Sequence, residues 1–165
     1  MAEPGETGME LQTEPLEEHR WLARMLGEWD AEIDCAMVPG EPSQRTTGTE
    51  RTRSLGGLWM ISEGTGQMPG GGEAQSVMTL GYDPRTGRYV GSFIASMMTH
   101  LWIYDGRREG DSLILEAEGP GMDGQMALFR DILTLTPEGG RGMVSQCRLP
   151  DGSWQEFMTA RYRRR

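Results

Sequence analysis

The chain has 165 residues, of which 25% are charged, and a formal net charge of −9. That length predicts one domain with a real hydrophobic core. An acidic chain is a poor candidate for phosphate-backbone binding, because nothing offsets the repulsion, and no nucleic-acid partner is expected. Every basic residue is Arg, which removes Schiff-base chemistry and Lys general bases.

Residues 1–15 are polar and carry Pro and Gly, so a disordered or loosely packed extension is expected there. Residues 16–165 are expected to form the single domain. No apolar run approaches the ~20 residues of a membrane-spanning helix. The acidic N-terminus lacks the apolar stretch of a secretory signal. Cys35 and Cys147 fall in separate predicted strands, and with no export signal a cytoplasmic home with reduced thiols is expected.

The stretch EPLEEHRWLARMLGEW predicts the one helix. Pro15 suits its start, Glu17 and Glu18 suit a first turn, and Gly27 can end it. Trp21, Leu22, Met25 and Leu26 fall at helical spacing on one face, while Leu16 fits that face less well.

Beyond it, every segment alternates or is rich in β-formers. Strands are predicted at Glu28–Val38, Arg45–Leu55, Leu58–Gly66, Gln75–Tyr82, Arg88–Ser96, Thr99–Tyr104, Ser112–Glu118, Met126–Thr136, Arg141–Leu149 and Ser153–Arg163. The breaks carry turn chemistry: Pro39-Gly40, Gly70-Gly71-Gly72, Asp105-Gly106, Gly119-Pro120-Gly121, Pro137 to Gly140, and Pro150-Asp151-Gly152. Links this short favour antiparallel neighbours, since a parallel crossover needs a dozen residues or more. The prediction is an all-β, antiparallel, up-and-down β-barrel of about ten strands with a short N-terminal helix. A sandwich is the second choice, because closure removes the exposed edges.

Alternation assigns some faces. Trp29, Ala31, Ile33, Cys35 and Met37 share one side of the first strand, with Asp30, Glu32 and Asp34 on the other. Asp83, Pro84 and Gly87 predict a tight reversal that makes Tyr82 and Tyr89 cross-strand neighbours. Met78, Leu80, Tyr82, Tyr89, Phe93 and Ala95 then share a face. The parity of His100, Trp102 and Tyr104 against Leu101 and Ile103 stays open. So does that of Leu128, Arg130 and Ile132 against Phe129, Asp131 and Leu133.

Gly27-Glu28-Trp29 after a short helix resembles the opening of lipocalins, in which a Trp plugs the closed end of a barrel under an Arg from the last strand. That resemblance assigns the Arg to Arg161 or Arg163. A closer resemblance covers nearly all of residues 19–163. Its pieces are His19 with Met25-Leu26-Gly27-Glu28-Trp29, Gly57-Leu58-Trp59, Thr79-Leu80-Gly81-Tyr82-Asp83, Tyr89, Trp102, Glu118-Gly119-Pro120, Arg130-Asp131, Asp151-Gly152 and Tyr162-Arg163. In these the chain is similar to a bacterial domain-of-unknown-function family, number 1579 (DUF1579), taken to be lipocalin-like (calycin-type) barrels. The resemblance implies a fold and assigns no chemistry.

A barrel of this size has room for a small ligand or for its own side chains. Thirteen methionines favour a pocket that accepts apolar shapes, against the plainer reading that Met fills gaps in a chain poor in Phe. The first functional reading is a barrel that binds a small apolar molecule, without turnover. Trp59, Met78, Phe93 and Trp102 are the expected walls, and His100, Glu63 and Arg130 the expected polar anchors. Against these stand plainer roles: a hydrogen-bonded structural His, a solvated Glu and an exterior Arg.

A second reading makes the cavity catalytic, with His100 and a barrel carboxylate (Glu63, Glu116 or Glu118) as acid and base; His19 helps only if the helix end faces the pocket. Haem ligation by His100 is the alternative to having no cofactor. A third reading is a homodimer formed through a barrel face. No metal site is expected, since the His and Cys residues lack paired spacing. The glycines of Gly64-Thr65-Gly66 and Gly70–Gly72 precede no helix and so make no phosphate loop. No Gly-x-Ser-x-Gly occurs. Arg161, Arg163, Arg164 and Arg165 read as a solvated tail.

Overall fold

The computed structural model describes residues 13–36, 38 and 40–165; the proposed extension falls mostly, and Met37 and Pro39 wholly, outside them. One helix, α1 (Glu17–Ala23), precedes ten strands. These are β1 (Gly27–Cys35), β2 (Gln44–Leu55), β3 (Trp59–Gln67), β4 (Glu73–Asp83) and β5 (Arg88–Ala95). Then come β6 (Trp102–Glu109), β7 (Ser112–Pro120), β8 (Met126–Leu135), β9 (Arg141–Arg148) and β10 (Trp154–Arg164). Each strand pairs antiparallel with its sequence neighbour, and β1 pairs with β10, so the sheet closes into a barrel. Ten strands in up-and-down order are what the sequence predicts. Among the described residues, no helix is long and apolar enough to cross a membrane.

The β4–β5 hairpin forms in the predicted register, with Tyr82 opposite Tyr89 and Met78 opposite Phe93. The Arg85 amide donates to Asp83 Oδ1 at 2.9 Å, and Gly87 takes a φ of +68° that a side chain would resist.

One strand is displaced from its predicted place. The sixth was expected at Thr99–Tyr104, ending in a turn at Asp105-Gly106, but β6 runs on to Glu109 and reverses at Gly110-Asp111. Gly106 is there for packing: a Cβ would lie 2.7 Å from Leu115 Cδ2 and 3.2 Å from Tyr89 Cβ. Asp105 faces out and accepts from Arg88 at 2.7 Å. A turn dipeptide inside a strand is a close approach of neighbouring residues.

The two ends of the barrel differ. Helix α1 and four of the reversals (residues 56–58, 84–87, 110–111 and 136–140) lie at one end, and the other five connections (residues 36–43, 68–72, 96–101, 121–125 and 149–153) lie at the other. Trp21, Leu22 and Met25 pack over Met60, Leu80, Tyr89, Leu113, Leu115, Leu133 and Leu135, and close the first end. His19 fastens the helix. Its Nδ1 accepts from the Leu16 amide at 2.9 Å, so its Nε2 carries the proton and donates to the Tyr82 carbonyl at 3.1 Å. His19 is therefore structural.

Trp29 is wholly buried in this end, and its indole N–H donates to the Met25 carbonyl at 3.0 Å. Arg164 lies over its ring at 4.2 Å and Arg141 at 5.0 Å. The resemblance placed Arg161 or Arg163 here, but the register of β1 with β10 puts both on the outer surface, where Arg163 meets Glu32 at 3.5 Å. Arg164 also donates to the Leu26 and Arg24 carbonyls, both at 2.5 Å. The basic end is thus a clamp on the helix terminus, with Arg165 paired to Asp30 at 2.9 Å.

Trp29→Ala should cost about 3 to 5 kcal/mol of stability, the range for emptying a large aromatic site. Leu101→Ser, at a position 52% exposed, should change stability little. Urea midpoints of the two variants test this, and equal midpoints would refute the plug.

Candidate functional site

In a closed barrel an inward side chain can meet solvent only where the lumen is wide enough to admit it. Near α1 the inward side chains are buried: Trp29, Ala31, Met60, Leu80, Tyr89, Tyr104, Leu113, Leu115, Leu133 and Tyr162. Toward the other end Ile33, Cys35, Ser76, Met78, Phe93, Trp102, Phe129, Cys147 and Met158 face inward and remain partly accessible. The barrel is therefore buried throughout one half and only partly covered in the other, the cup.

Aromatic rings line part of that cup. His100 meets Trp102 edge-on at 4.8 Å, Trp102 meets Phe129 at 5.0 Å, and Phe129 meets Phe157 at 6.0 Å. Two local features build this row. Gly119 leaves space for the Trp102 indole, since a Cβ there would lie 2.0 Å from its Cζ3. A bulge in β10 between Glu156 and Met158 lets both Phe157 and Met158 turn inward.

Beneath the aromatics lies a polar layer. Asp131 faces inward from β8, half-buried. Its Oδ2 accepts from the Tyr104 hydroxyl at 2.5 Å and its Oδ1 from Ser145 Oγ at 2.6 Å. Burial raises its carboxyl above the ordinary value of 3.8, while the two hydroxyl donors pull the other way. Burial first, and then Asp131, holds the Tyr104 phenol well above its usual range. A second network joins Ser62 to Thr52 at 2.9 Å and Thr52 to Glu50 at 3.0 Å. Glu50 then pairs with the buried Arg141, whose guanidinium lies 4.1 Å from the Tyr162 ring.

The sequence-predicted site residues divide. Met78, Phe93 and Trp102 line the cup, and His100 stands at its rim with Nε2 hydrogen-bonded to the Glu118 carbonyl at 2.8 Å. Trp59 does not join them. It is 42% exposed on the outer face, its ring over Gly81, where a Cβ would come within 2.5 Å. Glu63 lies on the same outer face and is exposed. Arg130 also points out, donating to Gln146 Oε1 at 2.6 Å and stacking on Trp154 at 3.9 Å.

The proposed pairing of His100 with a barrel carboxylate does not form. Glu63 and Glu118 are exposed, and Glu116 is bonded to Arg107 on the exterior at 3.2 Å. Strand parity decides all of these. Asp131 is the lumen carboxylate that sequence reasoning missed as a candidate, although Phe129, Asp131 and Leu133 were one of the two faces considered. Haem ligation by His100 would have to use Nδ1, because Nε2 is engaged.

Cys35 and Cys147 are unpaired, and burial raises both thiols. Among the described residues no cluster of three or more His, Cys, Asp or Glu side chains could hold a metal ion. Two cavities lie at the helix end. One of about 10 Å³ sits between α1 and the start of β3, enough for a single water. The other is an open cleft of about 180 Å³ beside Arg24, Thr136, Gly140 and Arg164. Its polar groups already have partners, Arg24 with Asp111 and Gly140 with Thr136, so the cup is the better candidate.

Residues 14–164 match the family described as "Protein of unknown function (DUF1579)". Among solved structures, the chain is similar to Rv2717c from M. tuberculosis with a TM-score of 0.63 at 14% identity, covering 92% of this chain and 99% of that one. At that identity the likeness shows the fold alone. A redesigned β-barrel, b11L5F_LGL, aligns with a TM-score of 0.46 at 11% identity, over 88% of this chain and 96% of that one. No curated protein matches.

Two outcomes test the geometry. Gly119→Val should evict the Trp102 indole, seen as a red-shifted tryptophan emission that is absent in Gly119→Val/Trp102→Phe. For Asp131, a raised folded-state value means that the folded protein keeps a proton that the unfolded chain releases. Stability should therefore fall with rising pH from 3.8 up to that raised value, relative to Asp131→Asn. Urea midpoints of the two proteins between about pH 4 and pH 7 measure the slope; parallel curves would refute it.

Proposed function

The chain belongs to the DUF1579 family, which assigns no activity, and we propose from its barrel that it binds a small, mainly apolar molecule in the open half of the lumen. One observation carries this reading: Met78, Phe93, Trp102, Phe129 and Met158 point inward and are only partly buried. Apolar side chains exposed within a concave wall gain by covering, at about 25 cal/mol per Å² of apolar surface removed from water. The flexible Met78 and Met158 suit a wall that adapts to its occupant. Binding without turnover is favoured, because among the described residues no inward His and carboxylate converge on a common point.

A second reading has its own observation. Ile94, Leu101 and Ile103 form an outer strip on β5 and the start of β6, exposed by 49%, 52% and 59%. Such a strip supports self-association through that face.

Protein purified from cells should carry an apolar mass in native mass spectrometry. After extraction it should bind the uncharged probe N-phenyl-1-naphthylamine with enhanced emission. Ala127→Trp, which fills the cup from an inward position, should weaken that binding by about ten-fold or more and leave stability nearly unchanged. Unaltered binding in that variant would refute the site. A Soret band in the purified protein would redirect the reading to haem.

A further inference from the structure

Two strand carboxylates among the described residues face the lumen, Glu50 and Asp131. Glu50 is paired with Arg141. Asp131 has no cationic partner. From β6 it meets the Tyr104 hydroxyl, from β9 the Ser145 hydroxyl, and opposite it on β7 stands Leu115. The arginines that might have served are committed elsewhere: Arg130 lies outside against Gln146 and Trp154, and Arg108 bonds Glu17 beside Trp21. Each Asp131 oxygen accepts one hydroxyl proton and keeps capacity for another donor.

Asp131 also sits at a particular depth. Along β8 the inward residues run Ala127, Phe129, Asp131, Leu133 from the mouth downward. Leu133 is buried in the packed half, while Phe129 and Asp131 are partly accessible. Asp131 thus marks the boundary between the two halves, one inward step below Phe129, which belongs to the row of Trp102, Phe129 and Phe157. A cation entering this space would meet the electron-rich faces of aromatic rings and then an unpaired negative charge. The net charge of −9 draws cations toward the protein as a whole. Among the described residues, an anionic amphiphile meets no free cation inside.

We propose that the cup selects an amphiphilic cation, a protonated or quaternary amine on an apolar body, with Asp131 as the anchor for its charge. This rests on the ligand-binding reading above and names the class of its ligand.

The test compares three twelve-carbon probes below their micelle concentrations: dodecyltrimethylammonium, dodecanol and dodecanoate, each titrated calorimetrically. The wild-type protein should bind the cation about ten-fold or more tighter than the alcohol, and the anion most weakly. Asp131→Asn should bring the cation down to the alcohol's affinity and leave the alcohol unchanged. Glu63→Gln, which removes the same charge from the outer face, should change neither.

The inference is overturned if the wild type shows no preference for the cation. It is equally overturned if Asp131→Asn keeps the preference, or if Glu63→Gln loses it as fully, which would assign the effect to surface charge. Should Asp131→Asn fail to fold, Phe129→Leu replaces it. Loss of that ring should weaken the cation by about three-fold more than the alcohol, and equal losses would overturn the inference. Binding of the alcohol without preference removes only the cation; binding of none of the three removes the ligand-binding reading too.

Discussion

The structure depends on how the ring of strands is closed around Trp29. Closure alone abolishes the sheet edges, but a ring of ten strands is wider than its own side chains readily fill. Something has to occupy the excess. Trp29 does so where first and last strands meet: its ring lies under Arg141 and Arg164, and its N–H reaches the Met25 carbonyl. Arg164 extends the same contact to the helix end through the Leu26 and Arg24 carbonyls. One residue thus couples β1, β9, β10 and α1. The helix then has a fixed place from which Trp21 and Met25 fill one half of the lumen.

The other half follows from that arrangement. A single short helix covers one end, and among the described residues there is no second one to cover the opposite end. The interior near the five connections of that end is left to whatever the strands supply. What they supply is aromatic and sulfur-bearing: Phe93, Trp102, Phe129, Phe157, Met78 and Met158. The exposed large apolar residues gather there too, since Val38, Met97, Met98, Met122, Met126 and Leu149 all sit in or beside the connections at the mouth. A rim of this kind lowers the cost of bringing an apolar molecule from water to the lumen, because its approach is already lined.

Much of this was legible beforehand, because period-two alternation and turn residues are local signals. The Tyr82–Tyr89 pair, the apolar face of β1 and the number of strands needed nothing beyond them. The site was less legible for a definite reason. Which face of a strand points inward is a property of the closed ring, and a strand with bulky residues on both sides gives no local vote. On β8, Leu128 and Ile132 are as apolar as Phe129 and Leu133, so Arg130 and Asp131 could not be told apart as anchors. On β3, Trp59 and Ile61 outweigh Met60 and Ser62 in apolar bulk, yet the larger pair faces out. There, too, a glycine on the neighbouring strand marked the answer: Gly81 is the bed of the Trp59 ring. Gly119 marks Trp102 in the same way.

The buried polar layer would be a liability in a solid core, where each unpaired group costs about 1 to 3 kcal/mol. Here its two parts have different surroundings and different solutions. Glu50 lies against the packed half and is neutralised by Arg141, itself stacked on Tyr162. Asp131 lies at the boundary with the cup and has only hydroxyls for company. Stability alone would be served by a second Arg, or by an apolar residue matching Leu115 across the strand pair. The fold carries neither, and the uncompensated carboxylate is left at the boundary where the packed half meets the cup. A charge placed so is better explained by what it meets in the lumen than by what it does for folding.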